Sequence, residues 1–188
     1  MCTVSIFTTL RHNNIQQTVS EEIINRVTNS ALMVFDLEDY YPEGKRIIID
    51  IKDWLFEGFV LREKDFREHV KHHDWTQYKN CFVALYCSTD AIVPAWAYML
   101  IILELEPYSK KTIIGDLDSL ETSIYQDIIN NLNLETYKDK PVIIKGCSKK
   151  PVPVNAYLMV TNRLKPIAKS IMFGEACSSV PLYKKPKN

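Results

Sequence analysis

Apolar residues along this chain gather into short runs of strand length and longer runs of helix length, and in the second half the two alternate. Phe82 to Tyr86 is short enough for a buried strand, and Pro94 to Leu103 long enough for a buried helix. Length separates them, because apolar periodicity does not. Thr112 to Ile114 reads as a short strand. Leu120, Ile124, Ile128 and Ile129 then recur at helical spacing behind Asp116, Asp118 and Ser119, any of which can cap that helix. Pro141 to Lys145 is the next strand. Asn155 to Leu164 reads as a helix ended by Pro166, although Ala156 to Val160 also tolerates strand.

The first half is less regular. Val4 to Leu10 fits an edge strand or a leader, and Ser20-Glu21-Glu22 opens a helix striped by Ile23, Ile24 and Val27. Ala31 to Leu37 and Ile47 to Ile51 have strand character, separated by turn material through Gly44. Asp53 to Leu61 fits strand or short helix equally. Arg62 to His72 is a charged helix with Phe66 and Val70 on its inner face. The expected fold is α/β: a layered mixed sheet with parallel βαβ units in the second half and helices packed on it. Right-handed crossovers would gather the strand-to-helix connections on one sheet edge, where ligands bind in such folds.

Composition narrows the class. With 188 residues, 46% hydrophobic and 24% charged, the chain suits one globular domain, expected over residues 20–184 behind a leader or edge segment 1–19. Twenty-three basic and twenty-three acidic side chains cancel, so net charge gives no argument for nucleic acid or an anionic membrane as partner. No apolar stretch reaches bilayer-spanning length, no signal peptide stands out, and five cysteines, an odd number, point to reduced thiols. A cytoplasmic location follows as the expectation. No internal repeat is visible, and only Lys184 to Asn188 reads as a frayed basic tail.

Three segments pair cysteine with serine at an expected element end: Cys87-Ser88-Thr89-Asp90, Gly146-Cys147-Ser148, and Gly174-Glu175-Ala176-Cys177-Ser178-Ser179. A helix start beyond a cysteine lowers the thiol pKa, and glycine lets the backbone approach a ligand. Cys87, Asp90, Cys147 and Cys177 together make a donor set for zinc or iron. A second reading makes Cys87 the catalytic nucleophile of a thiol enzyme, with Asp90 or a histidine as base or orienter. A third is a non-catalytic interaction or scaffold protein whose apolar helix from Pro94 and exposed aromatics face a partner chain; a small molecule, a protein or a second copy of the chain stand open as partners. Buried, inert thiols are the alternative to all three. His69 and His73 share a helix face but lack the central Glu of a His-Glu-x-x-His site, and a helix C-terminus favours histidine without any ligand. Asp36, Glu38 and Asp39 could lend carboxylates to the site or form a solvated turn. Lys145 and Lys169 could place positive charge beside a thiolate.

Several strings carry a family resemblance: Tyr40-Tyr41-Pro42, Asp50-Ile51-Lys52-Asp53-Trp54-Leu55, Cys87 to Pro94, Ile144-Lys145-Gly146-Cys147-Ser148, and Lys169 to Leu182. From about Ile24 to Lys184 the chain resembles an uncharacterised bacterial family, domain of unknown function 2480. That resemblance implies no activity. The cysteine segments also have a likeness to iron–sulfur scaffold proteins of the IscU type, with Cys-x-x-Asp here in place of Cys-x-Asp and a longer gap to Cys147.

Overall fold

The computed structural model describes residues 32–146, 149–175 and 178–186. The leader, the helix opening at Ser20, Cys147 and Cys177 lie outside the described residues. From Ala31 onward the chain forms one unit. Its described elements are β1 (Met33–Phe35), β2 (Arg46–Asp50), α1 (Glu63–His72), β3 (Phe82–Tyr86), α2 (Ala95–Leu105), β4 (Lys111–Ile114), α3 (Leu117–Asn131), β5 (Pro141–Ile144), α4 (Val154–Leu164), β6 (Ser170–Glu175) and β7 (Ser178–Lys184), with short 3-10 turns between. The α/β class and the parallel βαβ units hold: β3–α2–β4 and β5–α4–β6 both join parallel strands. The hairpin β6–β7 is the antiparallel exception, and was not expected as paired strands around Cys177. Asp53 to Leu61 contributes a 3-10 turn, Ile51–Trp54, and an isolated bridge from Phe56 to Val60.

The strands divide into two sheets, ordered β2-β3-β4 and β1-β5-β6-β7. This corrects the expectation of one shared edge for the strand-to-helix loops. Cys87 follows the central strand of the first sheet, and Gly146 follows an inner strand of the second. Strand alternation predicts parallel pairing but not which strands pair; packing against the helices decides that.

The two sheets repeat one plan, a repeat that the sequence conceals. In each, three parallel strands pair in the same register: Ile47, Val83 and Thr112 align in one, and Met33, Val142 and Ile171 in the other. Helices α2 and α4 are both 11 residues long and are preceded by Pro94 and Pro153 with nearly the same φ and ψ. Each buries the same face: Ala97, Ile101 and Leu105 in α2, and Ala156, Val160 and Leu164 in α4. Before each central strand stands a left-handed residue, Asn80 at φ 60 and Asp139 at φ 55. Their amides donate to Tyr108 and Ile167 carbonyls, both at 2.9 Å. Beyond β4, and within β6, come Gly115 and Gly174, both at positive φ. Few identities survive besides these prolines, alanines, leucines and glycines, so the chain reads as unrepeated.

Helix α3 stands between the two sheets. Leu120 and Ile124 pack on Phe82 and Ala84 of the first sheet. Tyr125 and Ile129 enter the core of the second, with Phe35, Val142, Ile144, Ala156 and Ile171. The other face of the first sheet carries α1 and α2 through Ile49, Val83, Leu85, Phe66, Val70, Ala97 and Ile101. Of the polar contacts that hold α3, two are nearly buried. The Tyr125 hydroxyl donates to the Leu37 carbonyl at 3.0 Å. Arg46, at the start of β2, donates Nε to Glu121 Oε1 at 2.5 Å and Nη2 to Oε2 at 3.3 Å. Its Nη1 reaches the Pro42 and Gly44 carbonyls, and its plane lies 4.2 Å from the Tyr41 ring centre. Both partners are nearly buried, with 12% and 9% of their side chains exposed. Removing one member of such a pair leaves an uncompensated charge. Glu121→Ala is therefore expected to lower unfolding free energy by about 3 kcal/mol. Urea denaturation measures it, and a loss near zero would show the pair to be dispensable.

Candidate functional site

The strand ends carry the polar groups. In both sheets an edge strand ends at an aspartate, Asp36 after β1 and Asp50 in β2, and each aspartate caps the 3-10 turn that follows. Such caps arise because a short carboxylate reaches the amide two residues on. Each also reaches across to the neighbouring strand's loop. Asp36 Oδ1 accepts from the Glu38 amide at 3.0 Å, and Oδ2 from Lys145 Nζ at 2.6 Å. Asp50 Oδ1 accepts from the amides of Lys52 and Ser88, both at 3.1 Å. Burial pushes the Asp36 carboxyl up, but Lys145 and the Glu38 amide outweigh it and hold the pKa below the ordinary value. Asp50 is likewise raised by burial and lowered further by Ser88 and Lys52. The strings Phe35-Asp36-Leu37 and Ile49-Asp50-Ile51 were the available signal for these paired caps.

Cys87 is half-buried at the end of β3. Its Sγ lies 3.5 Å from Thr89 Oγ1, which donates to the Gly58 carbonyl at 2.8 Å. Tyr98 of α2 stands near it; burial, and then Cys87, raise that phenol's pKa. Asp90 is exposed. It lines an apolar recess of about 440 Å³ with Phe59, Val60, Leu61, Ala91, Ile92 and Pro94.

Cys147 and Cys177 fall outside the described residues, but Gly146, next to Cys147, comes close to Gly174, three residues before Cys177. A Cβ built on Gly146 would lie 2.9 Å from Phe173 Cζ and 3.2 Å from Gly174 Cα, so a larger residue here would push on the Phe173 ring and the β6 backbone. Gly174, at φ +117, would place a Cβ 2.7 Å from the Ser178 carbonyl oxygen. Lys145 sits beside them. Its pKa is raised first by the hydrogen bond to Asp36, with smaller contributions from Glu38 and Glu175. Glu38 also accepts the Lys149 amide. Asp36 and Glu38 thus belong to the neighbourhood of Gly146 rather than to a detached turn. The four sequence-derived candidates separate accordingly: Cys87 and Asp90 stand on the three-stranded sheet, and the residues adjoining Cys147 and Cys177 on the four-stranded one. Among the described residues, no group of three His, Cys, Asp or Glu side chains is spaced to hold a metal ion.

Residues 21–185 match the family described as Protein of unknown function (DUF2480). The chain belongs to this family. No curated protein and no solved structure matches it. The strings from Tyr40 to Leu182 that carry the resemblance all lie within the matched residues. No described helix of this DUF2480 protein is long and apolar enough to cross a membrane.

His69, His72 and His73 of this DUF2480 chain line a separate cavity of about 530 Å³, with Trp54, Asp65 and Glu68. His69 stacks on Trp54 with ring centres 6.2 Å apart. His73 lies against Trp54, Trp75 and Tyr78, and its Nε2 is 2.8 Å from the Tyr78 hydroxyl. His72 Nδ1 is 2.8 Å from the Glu68 carbonyl. These contacts make His73 part of an aromatic cluster. Burial lowers its pKa below 6.5, with Asp74 opposing.

Two pH dependences follow. A depressed imidazole pKa means that the unfolded chain takes up the proton first, so stability is present above the ordinary value and lost as pH falls below it. Melting temperature of the wild type should fall from about pH 7 to about pH 5, and less so in His73→Phe. An equal fall in both would remove His73 from the cause. The lowered Asp36 pKa acts in the acid range. Its stabilisation is present above the ordinary value of 3.8 and lost as pH falls through the lower folded value. Asp36→Asn should cost about 1 kcal/mol at neutral pH and less near pH 3, as read by denaturant titration.

Proposed function

We propose that this protein binds a metal ion, zinc or iron, through thiolates, with Cys147 and Cys177 as the ligands that the fold supports best. The observation that carries this reading is the close approach of Gly146 to Gly174, which brings the residue before Cys147 beside a residue three positions before Cys177, although the two are remote in sequence. Two further features support it. Lys145 puts positive charge beside these segments, and positive charge favours the thiolate that a metal requires. The carboxylates Asp36, Glu38 and Glu175 lie nearby, and oxygen ligands can complete a tetrahedral zinc site. Two thiolates leave further positions for a carboxylate, a third thiolate or water. Four protein ligands close a site structurally, whereas a water in the fourth position allows metal-assisted hydrolysis. Cys87 and Asp90, on the other sheet, are the outer members of the set.

Elemental analysis of protein purified without added metal tests this directly. About one zinc or iron per chain is expected, with Cys147→Ser and Cys177→Ser each losing most of it and melting at lower temperature. Cys87→Ser should keep its metal; loss there would bring the third thiolate into the same site. Metal-free wild type, or equal metal in wild type and both variants, would end the proposal.

A further inference from the structure

The chain is neutral overall, but its charge is unevenly placed. From Leu32 to Asn131 there are eighteen Asp and Glu against ten Lys and Arg, whereas from Leu132 to Asn188 there are eleven Lys and Arg against three acids. Much of this basic excess collects at one end of the four-stranded sheet. Lys140 precedes β5, Lys169 precedes β6, and Lys184 and Lys185 end and follow β7. The Lys169 amide donates to the Lys140 carbonyl at 2.9 Å, and the Lys185 amide to the Lys169 carbonyl at 2.9 Å. Lys140, Lys169 and Lys185 therefore stand side by side, at strand spacing of about 4.8 Å. All of these lysines are exposed, as is Lys165 on the turn leading to β6. Lys185 meets Asp139 at 3.1 Å. Among the described residues, Lys140, Lys165, Lys169 and Lys184 meet no carboxylate.

The repeated plan supplies an internal comparison. In the first sheet Cys81 holds the place of Lys140, and Glu106 that of Lys165. Lys110 holds the place of Lys169, but its Nζ is spent on the Glu43 carbonyl at 2.7 Å. The same backbone therefore forms with a buried thiol, an acid and an internally engaged lysine at these positions. Folding does not demand the lysine row, and neighbouring like charges oppose it.

We propose that this row is a docking surface for an acidic segment of a partner protein. Charge complementarity identifies the chemistry, and the surroundings favour protein over the other polyanions. Leu182 of β7, two residues before Lys184, is 51% exposed, and Val180 farther along the same strand is 60% exposed, giving the mixed apolar and charged surface that a protein partner covers. The nearby aromatics, Tyr137 and Tyr183, pack against the core, so no stacking platform for single-stranded nucleic acid is offered. The acidic excess over the rest of the chain repels a long polyanion. The lysines follow a line along the sheet end, which suits an extended acidic segment better than a planar anionic membrane.

The test is fluorescence anisotropy of a labelled oligoglutamate peptide titrated with the full chain, beside labelled duplex DNA and vesicles containing phosphatidylserine. The peptide should bind, and more tightly than the other two. Its affinity should fall roughly tenfold between about 50 and about 200 mM salt. The double variant Lys140→Glu, Lys169→Glu should weaken it at least several-fold, while Lys64→Glu on exposed α1 should not. Both charge changes lie on exposed side chains, and a thermal melt confirms that each variant is folded. Absent peptide binding, equal weakening by Lys64→Glu, or tighter binding of DNA or vesicles would each overturn the proposal.

Discussion

Helix α3 has to satisfy two cores at once, and the rest of the molecule depends on that constraint. Leu120 and Ile124 face one sheet while Tyr125 and Ile129 face the other, so two apolar stripes share one helix. Each large side chain buried this way contributes on the order of 1.5–3 kcal/mol. Apolar contact alone would let the helix slide. The Tyr125 hydroxyl on the Leu37 carbonyl and the Arg46–Glu121 pair set its position along and across the sheets. Both polar contacts are nearly buried, so misplacement would leave groups unpaired where water cannot replace the lost partner.

The repeated plan explains where the polar chemistry stands. A parallel unit ends its strands on one side, and both edge strands end in an aspartate bound to the loop of the neighbouring strand. In the first sheet that aspartate holds the Ser88 amide beside Cys87; in the second it holds Lys145 beside Gly146. The units differ in what surrounds the shared frame. One has an aromatic and histidine cluster on α1, and the other a β-hairpin whose glycine meets the loop after β5. Divergence on a common frame lets a difference in side chain be read as a difference in use, since the backbone has tolerated both.

Much of the architecture was legible in the chain. The apolar runs at Phe82 to Tyr86 and Pro141 to Lys145, the helix behind Asp116 and the stop at Pro166 all lie where length and capping put them. The hairpin of β6 and β7 was not, because Ser170 to Lys184 holds a glycine, three serines and a proline that weaken any strand pattern. The role of Asp36 was half legible: a carboxylate before Leu37 reads equally as a turn, and only its contact with Lys145, far along the chain, places it beside the Gly146 loop.

The sequence by itself determined the elements and their parallel character, since both follow from local periodicity, caps and the order of strands and helices. It also determined family membership, because that rests on residue strings alone. Only the tertiary structure decided that the strands form two sheets rather than one, that the two sheets repeat, and that Cys87 stands on a different sheet from Gly146 and Gly174. Those outcomes depend on which buried faces find one another across long stretches of chain. Side-chain complementarity between remote residues sets that choice, and no local pattern encodes it.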